Sequence, residues 1–158
     1  ITDKAPQNFR FIGLIKIFFP NCKIIHCYRN PKDNCLSLFK NIFEGQLNFS
    51  YDLEDIAKYY KLYQNLMEFW TNRLSKRIYN LDYELLTVNQ ESETRQLIDY
   101  LSLDWDEKCL SPQHNSRSVS TASSLQIREK IYKGSSDVWK KYEDYLQPLV
   151  NGLNYYKD

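Results

Sequence analysis

The sequence predicts an α/β fold built on a parallel β-sheet. Two short strand patterns, one at 23–28 and one within 77–86, are separated by helical patterns, an order typical of parallel strands joined by crossover helices. The first strand, KIIHCY, is almost continuously apolar, which indicates a central strand covered on both faces. Two strands are too few for such a sheet, so either further strands lie in the polar regions or part of the sheet lies outside this chain. The length of 158 residues fits one domain with a real core.

Local signals define the elements in the first part of the chain. A helix is predicted over 8–18 and ends before Pro20. After the first strand, Asn30 can cap a second helix that has Pro31 at its first position and extends to about Phe43. Helical spacing gives this second helix an apolar side, with Cys35, Leu36, Leu38, Phe39, Ile42 and Phe43, and a polar side, with Asp33, Asn34, Ser37, Lys40 and Asn41.

The rest of the chain continues the alternation and then becomes polar. The predicted elements are a loop at 45–51, a long helix from Asp52 to about Leu74, a strand within 77–86 that leaves into a turn, and a helix at 89–103 that Asn89 can cap. Residues 104–120 are loop-like, and residues 121–135 are irregular and rich in Ser, Thr and Lys. A last helix is predicted to open near Ser136 and Asp137.

Composition limits the classes of function. The 21 Lys and Arg residues balance 20 acidic residues, so no overall basic surface for nucleic acid is expected and any anion site must be local. No apolar run has the length of a membrane helix, so we expect no membrane segment. Cys22, Cys27, Cys35 and Cys109 lack the spacing of metal ligands and are expected to be buried free thiols, which favours a reducing compartment such as the cytoplasm.

The join between the first strand and the second helix is a candidate anion site. Ligands of open α/β sheets bind at the carboxyl ends of strands, where Arg29 stands. A helix start there offers unpaired backbone N–H groups and a positive dipole end, and a guanidinium can bind two phosphate oxygens at once. The hydroxyl of Ser37, two turns into the helix, can donate to the same group. The alternative is a surface arginine in an ion pair beside a solvated serine.

Two further segments are weaker candidates. The segment at 116–139 combines many hydroxyls with basic side chains and has Gly134 just before a helix start, so it can wrap phosphates with side-chain and backbone donors. The alternative is a polar surface loop. Lys4, in TDKAP, gives no signal by itself.

Five segments occur in a specific order: residues 3–39, with DKAPQNF, IGLI and FPNCKIIHCYRNPKDNCLSLF, then LDYELL, LSLDWDEKCL, RSVSTASSLQIREKIY and WKKYEDYLQPL. Taken together, they resemble the C-terminal part of a bacterial sulfotransferase of the branch similar to protein-tyrosine sulfotransferases. The resemblance implies a fold similar to P-loop nucleotide kinases, with residues 1–158 as the C-terminal portion of a single sulfotransferase domain. It also implies that the N-terminal strand, the phosphosulfate loop and the catalytic base, a Glu or His, are missing here, so that this chain is inactive alone.

The resemblance assigns roles to residues near the sulfuryl group and the donor nucleotide. The family transfers a sulfuryl group from 3′-phosphoadenylyl sulfate to a hydroxyl or amine without a metal, and releases adenosine 3′,5′-bisphosphate. By position, Arg29 and Ser37 match the residues that hold the 3′-phosphate. Lys4 matches a lysine that stabilises the transferring group, since a fixed cation lowers the barrier for charge that develops there. Ser123 matches a serine that donates to the same region.

Four more residues match positions close to the nucleotide. Gln126, Arg128 and Tyr132 fall in the loop that closes over it, with Arg128 as the better phosphate ligand. Tyr83 matches a tyrosine near the nucleotide, or else is a core tyrosine at a strand end.

Three positions depart from the family or stay open. Asn41 stands where some relatives have a second arginine. His114 is either the counterpart of a family histidine or an exposed loop residue. His26 lies inside the apolar strand and is expected to be a core histidine with its hydrogen bonds satisfied.

The sequence is also compatible with two other classes of function. A nucleotide kinase predicts an upstream Walker loop and a magnesium requirement. A non-catalytic nucleotide-binding or protein-interaction module predicts binding without turnover. The acceptor is equally open: a peptide tyrosine, a sugar and a small molecule all fit.

Overall fold

Two parallel strands and six α-helices form the described part of the chain. The computed structural model describes residues 2–43, 47–115 and 136–155. The strands are β1 (Ile24–Tyr28) and β2 (Ile78–Asp82), and the helices are α1 (Ile12–Phe18), α2 (Pro31–Lys40), α3 (Leu53–Leu74), α4 (Tyr83–Val88), α5 (Gln90–Leu101) and α6 (Gln147–Tyr155). Short 3₁₀ segments occur at Pro6–Phe11, Asn48–Tyr51, Ser75–Arg77, Glu107–Leu110, Pro112–His114 and Val138–Tyr145.

The two strands pair in parallel, which confirms the predicted α/β class. Their register runs from Ile24 opposite Ile78 to Tyr28 opposite Asp82. Because the strands are parallel, both carboxyl ends lie at one edge of the sheet. The chain passes through α2 and α3 between them, as a parallel crossover requires.

The prediction that β1 is covered on both faces is wrong for the described residues. Ile24 packs against the core under α3, but Ile25 is 42% exposed, and Cys27 and Tyr28 are also exposed. On β2, the ring of Tyr79 lies against Tyr100 of α5, with centroids 5.0 Å apart. Cys27 is therefore an exposed thiol, contrary to expectation, because the described elements cover its part of the strand incompletely.

Helix bounds agree with the sequence prediction in part: α1 and α3 end at Phe18 and Leu74 as predicted, whereas α1 begins at Ile12 and not at residue 8. The side chain of Asn30 caps α2 as predicted, but α2 ends at Lys40, three residues before Phe43. The predicted turn after β2 is the short helix α4, because the Asp82 carboxylate accepts a bond from the N–H of Leu85, at 3.0 Å. The side chain of Asn89 makes no cap bond to α5, contrary to prediction.

Helix α3 contributes to two hydrophobic cores. The first core joins α3 to α2, α6 and the 3₁₀ segment at 138–145, and its buried members are Cys35, Leu36, Ile56, Ala57, Tyr60, Trp139, Leu146 and Leu149. The second joins α1, α3 and β2 through Ile12, Met67 and Ile78. Cys35 is fully buried, as expected, and burial raises the pKa of its thiol to about 12.

The predicted last helix is divided into two parts. Residues 138–145 form a 3₁₀ segment, and α6 begins only at Gln147. Helix α6 crosses α3 closely at Gly152. A Cβ added there would lie only 2.7 Å from the Cβ of Ala57. The irregular segment predicted at 121–135 lies outside the described residues.

Candidate functional site

The predicted anion site lies at the edge where both strands end. Arg29 follows β1 and Tyr83 follows β2, directly after the last register pair. The guanidinium carbon of Arg29 lies 5.6 Å from the centroid of the Tyr83 ring, within cation–π range. Both side chains are half-buried. Two residues that the sequence connects only through a resemblance are thus direct neighbours in space.

Ser37 lies further along α2. It is exposed and stands six residues after Pro31, a rise of about 9 Å along the helix. Its carbonyl accepts a hydrogen bond from the side-chain amide of Asn41, at 2.6 Å. Asn41 has an extended backbone and ends α2, and Ser37 is at the surface. We call Arg29, Ser37 and Tyr83 the strand-end site.

The expected unpaired backbone donors at the start of α2 are not available. The side-chain oxygen of Asn30 accepts bonds from the N–H groups of Lys32 and Asp33, at 2.9 and 3.4 Å. The N–H of Asn30 itself donates to the Glu84 carboxylate, at 3.2 Å. Because the protein already uses these donors, an anion here must rely mainly on side chains. Arg29, and not the start of α2, is therefore the main candidate ligand for an anion.

Two acidic residues beside the strand-end site were missed by the sequence analysis. Asp33 was placed on the polar face of α2, yet it is only 3% exposed. Its carboxylate accepts bonds from the N–H groups of Asp137 and Trp139, at 2.6 and 2.9 Å. These partners are 104 and 106 residues away, so no local pattern in the sequence could have indicated them.

Glu84, the second of these acidic residues, joins three segments. Besides the N–H of Asn30, its carboxylate accepts a bond from the hydroxyl of Ser136, at 3.4 Å. It therefore connects α4 with the start of α2 and with the chain that leads into the 3₁₀ segment at 138–145.

A neutral hydrogen-bonded network lies on β1 next to the strand-end site. The Nδ1 of His26 is 2.8 Å from the side-chain oxygen of Asn80, and its Nε2 hydrogen-bonds the hydroxyl of Tyr63. This confirms a histidine whose hydrogen bonds are satisfied. Burial lowers the pKa of His26 and raises the pKa of Tyr63 to about 12, so both side chains are neutral at pH 7.

Of the remaining predicted site residues, the structure describes only Lys4 and His114. Lys4 is exposed and precedes the 3₁₀ segment Pro6–Phe11, which packs on α3 through Phe9 against Tyr63, with ring centroids 5.1 Å apart. His114 is exposed, one of the two possibilities considered for it. The other predicted positions lie outside the described residues; they are Ser123, Gln126, Arg128 and Tyr132.

The described residues contain neither a group of side chains arranged to hold a metal ion nor a helix that could cross a membrane. Over 2–43, 47–115 and 136–155, no group of three or more His, Cys, Asp or Glu side chains is arranged to hold a metal ion. Within the same ranges, none of the helices has both the length and the apolar character needed to cross a membrane.

Comparison with known protein families identifies the family. The model of the sulfotransferase family matches residues 1–107, which is more than half of the chain. The chain belongs to the sulfotransferase family. The matched range contains Lys4 and the whole strand-end site, whereas Ser123 and the positions after it lie beyond it.

One relative of this sulfotransferase-family chain extends the similarity to almost its full length. A protein of Aquifex aeolicus (strain VF5), whose name reads only "Uncharacterized protein", is 37% identical over 156 residues, 97% of this chain. The chain spans only 20% of the length of that relative.

Proposed function

We propose that this chain supplies the part of a sulfotransferase that holds the 3′-phosphate of 3′-phosphoadenylyl sulfate. The observation that carries the proposal is the placement of Arg29 and Tyr83 side by side at the carboxyl edge of the parallel sheet, where α/β folds bind ligands. Membership of the sulfotransferase family supports the choice of this nucleotide over others.

The proposed binding mode follows from the chemistry of the side chains. A guanidinium offers paired N–H donors that match two oxygens of a phosphate, and charge-assisted bonds of this kind are stronger than neutral ones. The Tyr83 ring limits the orientations of the Arg29 side chain, so less conformational freedom is lost when the phosphate binds. The exposed Ser37 hydroxyl supplies a further donor.

The reaction that we propose is sulfuryl transfer to a hydroxyl or amine acceptor. An acceptor oxygen or nitrogen attacks sulfur, the bond from sulfur to the leaving phosphate oxygen breaks, and a base takes the acceptor proton. Lys4 and Ser123 stabilise negative charge on the transferring group, and Gln126, Arg128 and Tyr132 contact the nucleotide. The products are the sulfated acceptor and adenosine 3′,5′-bisphosphate. We place the base upstream of Ile1, in a domain that resembles P-loop nucleotide kinases and works without a metal.

Calorimetric titration with adenosine 3′,5′-bisphosphate tests the proposal. We use the complete natural polypeptide that carries this chain. The variant Arg29→Ala is expected to bind about 10- to 150-fold more weakly, which corresponds to about 1.5–3 kcal/mol for hydrogen bonds to a charged group.

Arg77→Ala is the matched control. Arg77 directly precedes β2, at the opposite edge of the sheet, and its guanidinium is exposed. The same loss of charge there is expected to leave the affinity within about twofold of the wild type, since exposed charges separated by more than a Debye length are largely screened. Equal affinities of the wild type and Arg29→Ala would reject the role of Arg29, and absence of binding by the wild type would reject the proposed function.

A further inference from the structure

Two carboxylates clamp residues 136–139 between the helices that flank the strand-end site. Asp33, in the first turn of α2, binds the N–H groups of Asp137 and Trp139. Glu84, in the first turn of α4, binds the hydroxyl of Ser136. We call Asp33, Glu84 and the segment 136–139 the carboxylate clamp.

Two hydrogen bonds to the buried carboxylate of Asp33 hold its part of the clamp in place. A carboxylate that is 3% exposed must have its hydrogen bonds satisfied, and two backbone N–H donors satisfy it here. Asp137, whose N–H donates to Asp33, adopts the left-handed conformation, with φ of 66°, which aspartate adopts more readily than most residues other than glycine. The ammonium group of Lys32 lies 3.7 Å from the centroid of the Trp139 ring, which adds a second contact between α2 and the 3₁₀ segment at 138–145.

The clamp connects the two elements that carry the ligand-binding side chains. Helix α2 carries Ser37 and directly follows Arg29 and its neighbour Asn30, while α4 begins with Tyr83. The carboxylate of Glu84 also binds the N–H of Asn30, so the first turns of α2 and α4 are joined both directly and through the segment 136–139. The clamp therefore connects the helix that carries Ser37 with the helix that begins at Tyr83.

We propose that Asp33 is a positioning residue of the nucleotide site, which acts by holding α2 and α4 at the separation that lets Arg29, Ser37 and Tyr83 bind one phosphate together. This inference rests on the proposed function, because it concerns the same site. Asp33 itself does not bind the nucleotide: its carboxylate is buried, negatively charged and occupied by two backbone donors.

Electrostatics and positioning predict opposite results, which makes the inference testable. Removal of a negative charge close to an anion site strengthens anion binding if the charge acts only through its field. Loss of the clamp weakens binding, since the phosphate ligands are no longer held in one geometry. The sign of the change in affinity thus separates the two effects.

The experiment measures the affinity of the complete natural polypeptide for adenosine 3′,5′-bisphosphate in two variants of nearly unchanged size. Asp33→Asn keeps one acceptor oxygen but turns an amide group toward a backbone N–H, and we expect about tenfold weaker binding. Glu84→Gln removes the charge at the other end of the clamp, and we expect about threefold weaker binding. Circular dichroism defines a temperature at which each variant is folded, and Glu84→Gln decides the result if Asp33→Asn does not fold.

Asp52→Ala is the control for a general loss of stability. Asp52 also accepts two backbone N–H groups, those of Glu54 and Asp55, but at the start of α3. We expect lower stability and unchanged affinity in this variant. Unchanged or tighter binding in both clamp variants, while the wild type binds, would overturn the inference alone. Absence of binding by the wild type would overturn the proposed function and this inference with it.

Discussion

Single side chains determine how the stability of this protein responds to pH, and His26 is the clearest case. Burial lowers its pKa, so the folded protein binds a proton at His26 less readily than the unfolded chain does. The unfolded state consequently gains a proton first as the pH falls below about 6.5, the ordinary pKa of histidine. Stability is therefore complete above that pH and declines as the pH falls toward the lowered pKa of folded His26.

The matched pair His26→Gln and His114→Gln tests this prediction. The sequence contains two histidines, and His114 is exposed, so its loss should leave the pH dependence as in the wild type. His26→Gln should be less stable at pH 7.5 because its bonds to Tyr63 and Asn80 are disturbed, and it should lose less further stability by pH 5.5. Urea unfolding at both pH values measures this. Equal pH slopes in His26→Gln and the wild type would contradict the prediction.

The close crossing of α3 and α6 controls stability at the scale of elements. Ala57 is fully buried, and a Cβ added at Gly152 would lie 2.7 Å from its Cβ, a separation that forces the helices apart. Alanine favours a helix over glycine by about 1 kcal/mol, whereas overpacking in a core costs about 1–3 kcal/mol. The midpoints of these two effects differ by about 1 kcal/mol, so we expect Gly152→Ala to lower the free energy of unfolding by about 1 kcal/mol.

Asn151→Ala is the control for Gly152→Ala. Asn151 is the neighbouring residue of α6 and is exposed, so its replacement should change the free energy of unfolding by no more than about 0.5 kcal/mol. Urea denaturation of the two variants and the wild type measures the difference. A Gly152→Ala protein as stable as the wild type would show that the helices separate at little cost.

Local chemistry explains which elements were predicted from the sequence. The pair Asn30 and Pro31 marks the start of α2, and Asp52 caps α3, because caps bind donors only two or three residues away. The end of α2 was placed too late because Ile42 continues the apolar spacing, yet it is 89% exposed. Helix α4 was missed because its six residues are too few for a periodic pattern.

The difference between local signals and distant contacts also explains which site residues could be predicted from the sequence. Arg29 was found because a charged residue after an apolar strand and before a helix cap is a local signal. The carboxylates of Asp33 and Glu84 were missed because their partners at 136–139 are distant in sequence. Their roles depend on tertiary contacts, which composition and periodicity do not encode.

At the scale of the whole molecule, the near balance of positive and negative charge means that the proposed nucleotide binding depends on local contacts. The net charge of this chain is +1, so its overall field offers little attraction to a doubly phosphorylated nucleotide. Affinity must then come from a few side chains in one geometry, and discrimination between nucleotides must depend on the phosphate that those side chains contact. For this reason the contact between Arg29 and the 3′-phosphate is the central claim.

A double-mutant cycle between protein and ligand tests that contact most directly. The affinities of the wild type and Arg29→Ala are measured for adenosine 3′,5′-bisphosphate and for adenosine 5′-monophosphate, which lacks the 3′-phosphate. We predict that the wild type prefers the bisphosphate by at least about tenfold and that Arg29→Ala loses most of this preference while its affinity for the monophosphate is nearly unchanged. Equal weakening of both nucleotides by Arg29→Ala would contradict the assignment of Arg29 to the 3′-phosphate.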